Sequence, residues 1–182
     1  MGVGLRPISP AEADRYGVPL GVLLQASLKV LPKPQAAQVV MASFADVESA
    51  GEAVAAVIGA GIVPAGLEMM DRLATAAVED YVHAGYDLGA EAILLCESDG
   101  TSEEVAEEIA KIEDVMRQAG STGFAVSRSE AERLRFWSGR KAAFPAVGRI
   151  SPDYYCIDGS IPRGAVSRVL KRIAELSAHY GL

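Results

Sequence analysis

The segment AILLCESDGTSEEVAEEIAKIEDVMRQAGSTGFAV, residues 92–126, decides the fold. Its opening run, Ala92–Glu97, reads as a buried strand. Thr101 and Glu104 then stand at the spacing where a hydroxyl and a carboxylate cap a helix N-terminus reciprocally. Behind them Val105, Ile109, Ile112 and Met116 recur at helical intervals, one apolar stripe on an otherwise charged helix that Gly120 closes. Thr122–Val126 is a second strand. The unit is therefore strand, capped helix, strand.

The same alternation extends in both directions. Upstream, Gln38–Phe44 is β-rich, and Val47–Ile58 places Ala50, Val54, Val57 and Ile58 at helical spacing before a stop at Gly59 and Gly61. Ile62–Met69 is a short apolar segment punctuated by Pro64 and Gly66, and Asp71–His83 reads as a helix. Downstream, Ser129 and Glu132 repeat the capping spacing before a helix to about Ala143. Asp153–Asp158 reads as a strand, and Val166, Val169, Leu170, Ile173, Leu176 and Tyr180 mark the inner stripe of a last helix. Such alternation fits either a doubly wound parallel sheet or an antiparallel α+β layer. The nearest glycine-rich turn, Gly59–Gly61 with Gly66, follows a helix instead of a strand, which argues against a dinucleotide fingerprint. The expected fold is α+β: a ferredoxin-like antiparallel sheet with helices packed mainly on one face.

Composition bounds the function. A chain of 182 residues, half of them hydrophobic, can bury one substantial core. Residues 1–36 hold five of the nine prolines (Pro7, Pro10, Pro19, Pro32 and Pro34), so they read as an N-terminal arm or linker, leaving 37–182 as the domain. A net charge of −7 argues against nucleic acid, which needs clustered cations to displace counterions. Apolar runs such as Ala53–Ile58 fall far short of the roughly 20 residues of a membrane span, and no charged-then-apolar leader opens the chain, so a cytoplasmic protein is expected. Cys96 and Cys156 read as two buried thiols, with neither a disulfide nor a zinc site.

Few groups are capable of chemistry. His83 and His179 sit near helix ends, outside any metal-ligand spacing, and neither a nucleophile elbow nor a phosphate loop is present. What stands out is Arg135–Pro162, where one Trp, two Phe, two Tyr and four basic residues crowd together. Arg133, Trp137, Arg140 and Phe144 are four, three and four residues apart, which places them on one helix face beside Phe136. Guanidinium groups beside aromatic rings suit a planar anion, because Arg grips a carboxylate with two parallel hydrogen bonds. The other reading is that the aromatics are core and the arginines cover their edges; the pattern alone leaves both open. Tyr154, Tyr155 and Cys156 follow as a second layer, in which strand alternation would bury at least one tyrosine.

Four motifs carry a family resemblance: LKVLPKP at Leu28–Pro34, GIVPAGLEMMDRLA at Gly61–Ala74, HAGY with EAILLCESDG over His83–Gly100, and EAERLRFWSGRKAAFPAVGRISPDYYCIDGSIPR at Glu130–Arg163. The chain resembles the C-terminal domain of FAD-linked 2-hydroxyacid oxidoreductases, in the glycolate oxidase branch, whose relatives include D-lactate and D-2-hydroxyglutarate dehydrogenases. The resemblance implies an α+β cap over a flavin domain, acting in oxidation of glycolate or D-lactate to the 2-oxo acid. It implies that Arg140 holds the substrate carboxylate, with Trp137, Tyr154 and Tyr155 as further substrate-binding residues. Phe144 and Cys156 fall where some relatives carry a Thr and a Lys, which favours a small substrate without a second carboxylate.

By the same resemblance, FAD and a divalent metal belong to the full-length enzyme, and an H-x-G-D-G-N-x-H segment would follow the final HYGL. The chain is therefore expected to be incomplete at its C-terminus, to hold no catalytic residue or metal ligand, and to be inactive alone. Residues 1–36 would be a remnant of the end of the flavin domain. Expected partners are other glycolate oxidase subunits, including an iron–sulfur subunit, and a second copy through an open sheet edge. The alternative of a different class is a stand-alone α+β ligand-binding or protein-interaction domain.

Overall fold

The computed structural model describes residues 33–181. The apolar run Val22–Leu31 and the first four prolines lie outside the described residues. Four strands and six α-helices follow in order: β1 (Ala36–Phe44), α1 (Val47–Gly59), β2 (Gly66–Asp71), α2 (Arg72–Val82), β3 (Ala92–Gly100), α3 (Ser102–Gln118), β4 (Gly123–Val126), α4 (Glu130–Lys141), α5 (Ala143–Ile150) and, after a 3-10 turn at Arg163–Ala165, α6 (Val166–Tyr180). The strands form one sheet in the order β2-β3-β1-β4, with every neighbouring pair antiparallel. Consequently β1 and β2 run parallel with β3 between them, and β3 and β4 run parallel with β1 between them. Two interleaved β–α–β units of this kind make the ferredoxin-like arrangement that the alternation led us to expect.

Local capping explains where the helices start. Thr101 accepts from the Glu104 N–H while the Glu104 carboxylate accepts from the Thr101 N–H, so both halves of the capping box at α3 are made. Asp46 and Asp71 cap α1 and α2 from one side only, accepting from the Ser49 and Ala74 amides. The α3 stripe Val105, Ile109, Ile112 and Met116 is buried throughout. Each such side chain is worth roughly 1.5–3 kcal/mol of burial, more than any cap on the helix.

Helix placement departs from the expectation. On one face α1 and α3 enclose Val40, Ala42, Phe44, Leu94 and Cys96. On the other face Val39, Ile93 and Leu95 are also buried, against Val78 of α2, Phe136 of α4 and Ala146 of α5. Helices therefore cover both faces instead of mainly one. The reason lies in the central position of β1 and β3: a strand buried on both sides reads as a continuous apolar run, as Ala92–Cys96 does. Had one face stayed open, Ile93 and Leu95 would meet water.

Two further differences concern the C-terminal part. Residues 153–158 form no strand; the chain there is irregular, and Tyr155 and Ile157 are exposed. The last helix does form, but it meets α1 through residues outside the expected stripe, Ser167 against Gly51 and Lys171 against Glu48, while Val166, Val169 and Leu170 are half-buried. Ile173, Leu176 and Tyr180 remain exposed. No helix among the described residues is long and apolar enough to cross a membrane.

Candidate functional site

Helix α4 lies on the second face of the sheet, and a buried tyrosine fixes it there. The Glu79 carboxylate accepts from the Gly85 and Tyr86 amides and turns the chain after α2. This delivers Tyr86 beneath α4, where its hydroxyl donates to the Phe136 carbonyl and accepts from the Gly139 N–H at 3.0 Å. Burial raises the Tyr86 pKa against the opposing pull of the Gly139 amide, so the phenol stays neutral and able to donate. A side chain at Gly139 has no room, because an added Cβ would come within 2.4 Å of the Tyr86 ring.

Two strand glutamates receive the exposed edge of α4. Glu97 of β3 stands opposite Gly66 of β2, and Glu68 stands opposite Leu95, so both carboxylates share the α4 side of the sheet. The Glu97 carboxylate accepts from Arg133 Nη1 at 2.8 Å and from the Trp137 indole N–H. Arg133 is saturated further by Glu130, which takes Nε at 2.7 Å and Nη2 at 2.8 Å. The hydrogen bonds to Glu130, and then those to Glu97, raise the pKa of this guanidinium, which is only 19% exposed. The Trp137 ring lies over Gly66, whose missing side chain makes the space: an added Cβ would sit 3.1 Å from it.

Arg140 differs. Its Nε donates to Glu68 at 2.9 Å, and among the described residues Nη1 and Nη2 have no partner. Its side chain is 44% exposed. The helix ends directly afterwards, because Pro145 lacks an N–H and its ring would collide with the carbonyl of Lys141. Phe144 therefore belongs to α5 and leaves the face of Arg133, Trp137 and Arg140; it is exposed and stacks on Tyr154 at 6.3 Å. The expected four-residue face is thus three residues long, and the large buried aromatic of α4 is Phe136.

The second layer does not assemble as a strand would. Tyr154 is half exposed, Tyr155 is 90% exposed, and neither is the buried tyrosine that alternation required. Cys156 is exposed as well, so only one of the two thiols is buried. Burial and the nearby Glu108 carboxylate push the Cys96 thiol up to about 12. Sequence reasoning missed Glu68 and Glu97. The available signal was a glutamate pointing to an otherwise apolar strand face, a position that charged residues occupy mainly when paired.

Cofactor fit can be tested on two surface clefts. The larger, about 570 Å³, follows the β4 edge over Phe124 and Val126, between Glu113 and Arg117 on one side and Arg128, Glu132 and Arg135 on the other. The nearest helix start, that of α4, has the Arg128 and Glu132 amides taken by Glu132 and Ser129 side chains, and acids fill its first turn. A pyrophosphate would find the amides occupied and the local charge unfavourable. The smaller cleft, about 370 Å³, lies between α2 and α5, with Asp80 and Arg149 beside alanines, Leu73 and Ile150. Neither cleft suits a dinucleotide, and neither contains Arg140, Trp137, Tyr154 or Tyr155. Among the described residues no group of His, Cys, Asp and Glu could hold a metal ion. His83 caps α2 in a left-handed conformation, and His179 packs edge-on to Tyr180 at the far end of α6.

A four-stranded antiparallel sheet of this order, with helices on both faces, defines the class as a ferredoxin-like α+β domain. A solved structure of alkyldihydroxyacetonephosphate synthase shares the fold, with a TM-score of 0.59 and 14% identity, over 80% of this chain and 32% of that one. Residues 33–182 match the family model for the C-terminal domain of FAD linked oxidases, and the chain belongs to that family. Among curated proteins, the glycolate oxidase subunit GlcD of Escherichia coli K12 is 56% identical over 163 residues. The subunit of that name from Bacillus subtilis is 29% identical over 163 residues, and a probable mitochondrial D-lactate dehydrogenase of Danio rerio is 27% identical over 161. These matches cover 87–90% of this chain but only 31–35% of the relatives, so the chain spans about a third of their length.

Proposed function

We propose that this chain is the substrate-side domain of an FAD-dependent oxidoreductase that converts a small 2-hydroxy acid, glycolate or D-lactate, to its 2-oxo acid. The observation that carries the reading is Arg140: unlike Arg133 on the same α4 face, it has no partner for either Nη group among the described residues. A carboxylate accepting from Nη1 and Nη2 together would be held in plane and in register. Bound FAD supplies the hydride acceptor, and we assign its site and the base that takes the hydroxyl proton to the part of the relatives that this chain does not span. The contribution of these residues is orientation, which lowers the barrier by fixing the α-carbon relative to the acceptor.

Substrate size follows from the family resemblance, in which Phe144 and Cys156 stand where some relatives carry a Thr and a Lys. Phe144 and Cys156 carry no charge, so neither offers a second carboxylate a partner. Trp137 serves by position, since its indole N–H is already committed to Glu97. Tyr154, stacked on Phe144, and Tyr155 are proposed to close over the substrate from the 153–158 segment when the rest of the enzyme packs there. The 56% identity to a named glycolate oxidase subunit supports this substrate class and, with it, assembly with further subunits.

The test is steady-state kinetics of the flavin-loaded enzyme with Arg140→Ala. Loss of the charged anchor is expected to lower kcat/KM for glycolate about 100-fold, with the flavin spectrum unchanged. A change below about threefold in glycolate and D-lactate alike would remove Arg140 from the site.

A further inference from the structure

Arg140 and Arg133 sit two helical turns apart on one face of α4, and each meets a glutamate from the strand beneath. Their engagement is opposite in kind. Arg133 spends Nε, Nη1 and Nη2 on Glu130 and Glu97. Arg140 spends Nε alone, on Glu68. A guanidinium offers five N–H groups in a planar fork, usable side-on through Nε and one Nη or end-on through both Nη groups. Glu68 blocks the side-on approach and leaves the end-on one. It does so from β2, whose place in the sheet is set by pairing with β3 from Gly66–Glu97 to Asp71–Ala92. The backbone of Glu68 is therefore fixed by the ladder, and the ion pair it makes is half-buried, with the Arg140 side chain 44% and the Glu68 side chain 41% exposed.

We propose that Glu68 is a positioning residue for the substrate carboxylate: by holding Arg140 through Nε it fixes the plane of the guanidinium and selects end-on binding at Nη1 and Nη2. This rests on the reading of Arg140 as the substrate anchor. It adds that the anchor is preorganised, so that a long, rotamer-rich side chain does not have to be ordered when the substrate arrives. An arginine without Glu68 could still attract the anion, but in several orientations. Glu68 touches Arg140 and not the reacting atoms, so its effect belongs in binding more than in the chemical step. Its negative charge also tempers the anion affinity of Arg140, which favours a ligand able to take both Nη groups over one that offers a single oxygen.

Two substitutions separate this role from a surface ion pair. Glu68→Ala removes the acceptor, and Glu68→Gln keeps an oxygen for the Nε–H without the charge. In the flavin-loaded enzyme, Glu68→Ala is expected to raise KM for glycolate about tenfold with kcat within about twofold, and Glu68→Gln to restore KM to within about threefold. In the 15N-labelled 182-residue chain, the Arg140 Nε–H resonance should be slow to exchange in the parent and in Glu68→Gln, and fast in Glu68→Ala. Adding glycolate should shift the Nη signals and leave Nε in place. A Glu68→Ala enzyme with unchanged KM, where Arg140→Ala is crippled, would overturn the positioning role and leave the anchor standing. If Arg140→Ala is itself without effect, the reading beneath this proposal fails instead.

Discussion

Two halves of one sequence run behave differently. In Arg135–Pro162 the first half, on α4, is fastened by Tyr86 from below and by Glu68 and Glu97 at its edge. The second half, from Pro152 to Pro162, is just as aromatic, yet it stays irregular, and its Tyr155, Ile157 and Ile161 are exposed. Both halves carry aromatics, but the four basic residues all precede Pro152, and the first half alone has a facing element. Aromatic and basic residues announce that contacts are wanted; whether they are made depends on a facing element with matching groups. α4 has the sheet. Among the described residues the 152–162 segment has the Phe144 ring against Tyr154, a Ser151 hydroxyl on the Asp153 carbonyl and the Ala165 amide on the Pro162 carbonyl, all of them from its own neighbours in the chain.

Thiol chemistry offers the widest contrast with which to break that comparison. Cys156 in the open segment should label at pH 8 in the native protein, whereas Cys96, in a central strand with its thiol near 12, should react only through unfolding. With an opening free energy of at least about 5 kcal/mol the rates should differ by roughly 10³ or more, measurable by mass spectrometry against time. Equal rates would mean that the segment is covered. The same group carries a pH dependence. The unfolded thiol ionises near its ordinary value of 9.0 and the folded one only near 12, so its stabilising contribution is complete below pH 9 and declines as pH rises through that window.

Next in size is Gly139→Ala, which drives a methyl group into the Tyr86 ring and strains the seat of α4. A loss of about 3 kcal/mol is expected in urea unfolding; a loss under about 0.5 kcal/mol would show that α4 is not held by this contact. The smallest effect sharpens the other half. Tyr155→Ala should change stability by no more than about 0.5 kcal/mol, since the ring is 90% exposed. A larger loss in the same measurement would give the 152–162 segment a packing partner after all.

How much could be read in advance follows the range of the interactions. Both halves of the α3 capping box, its four-residue stripe and the β3 run depend on neighbours within a turn or a strand, and each formed where the pattern placed it. Arg140 was legible as a candidate from helical spacing. Its hold by Glu68 was not, because that contact joins residues 72 positions apart. Phe144 left the predicted face because spacing arithmetic carried that face one residue past the expected helix end at about Ala143, and Pro145 ends the helix earlier, at Lys141. The strand expected at 153–158 failed for a related reason: β propensity describes fit to a pleated neighbour, and without one it forms nothing.

The sequence by itself determined the alternation of elements, the capped helices, the family and the region of interest, because periodicity and local hydrogen bonding act within a few residues. Only the tertiary structure decided that helices cover both faces, that Arg133 is consumed by structure, and that among the described residues Arg140 keeps its fork free. Those outcomes depend on which strand lies under which helix, and that is fixed by burying the central strands on both sides.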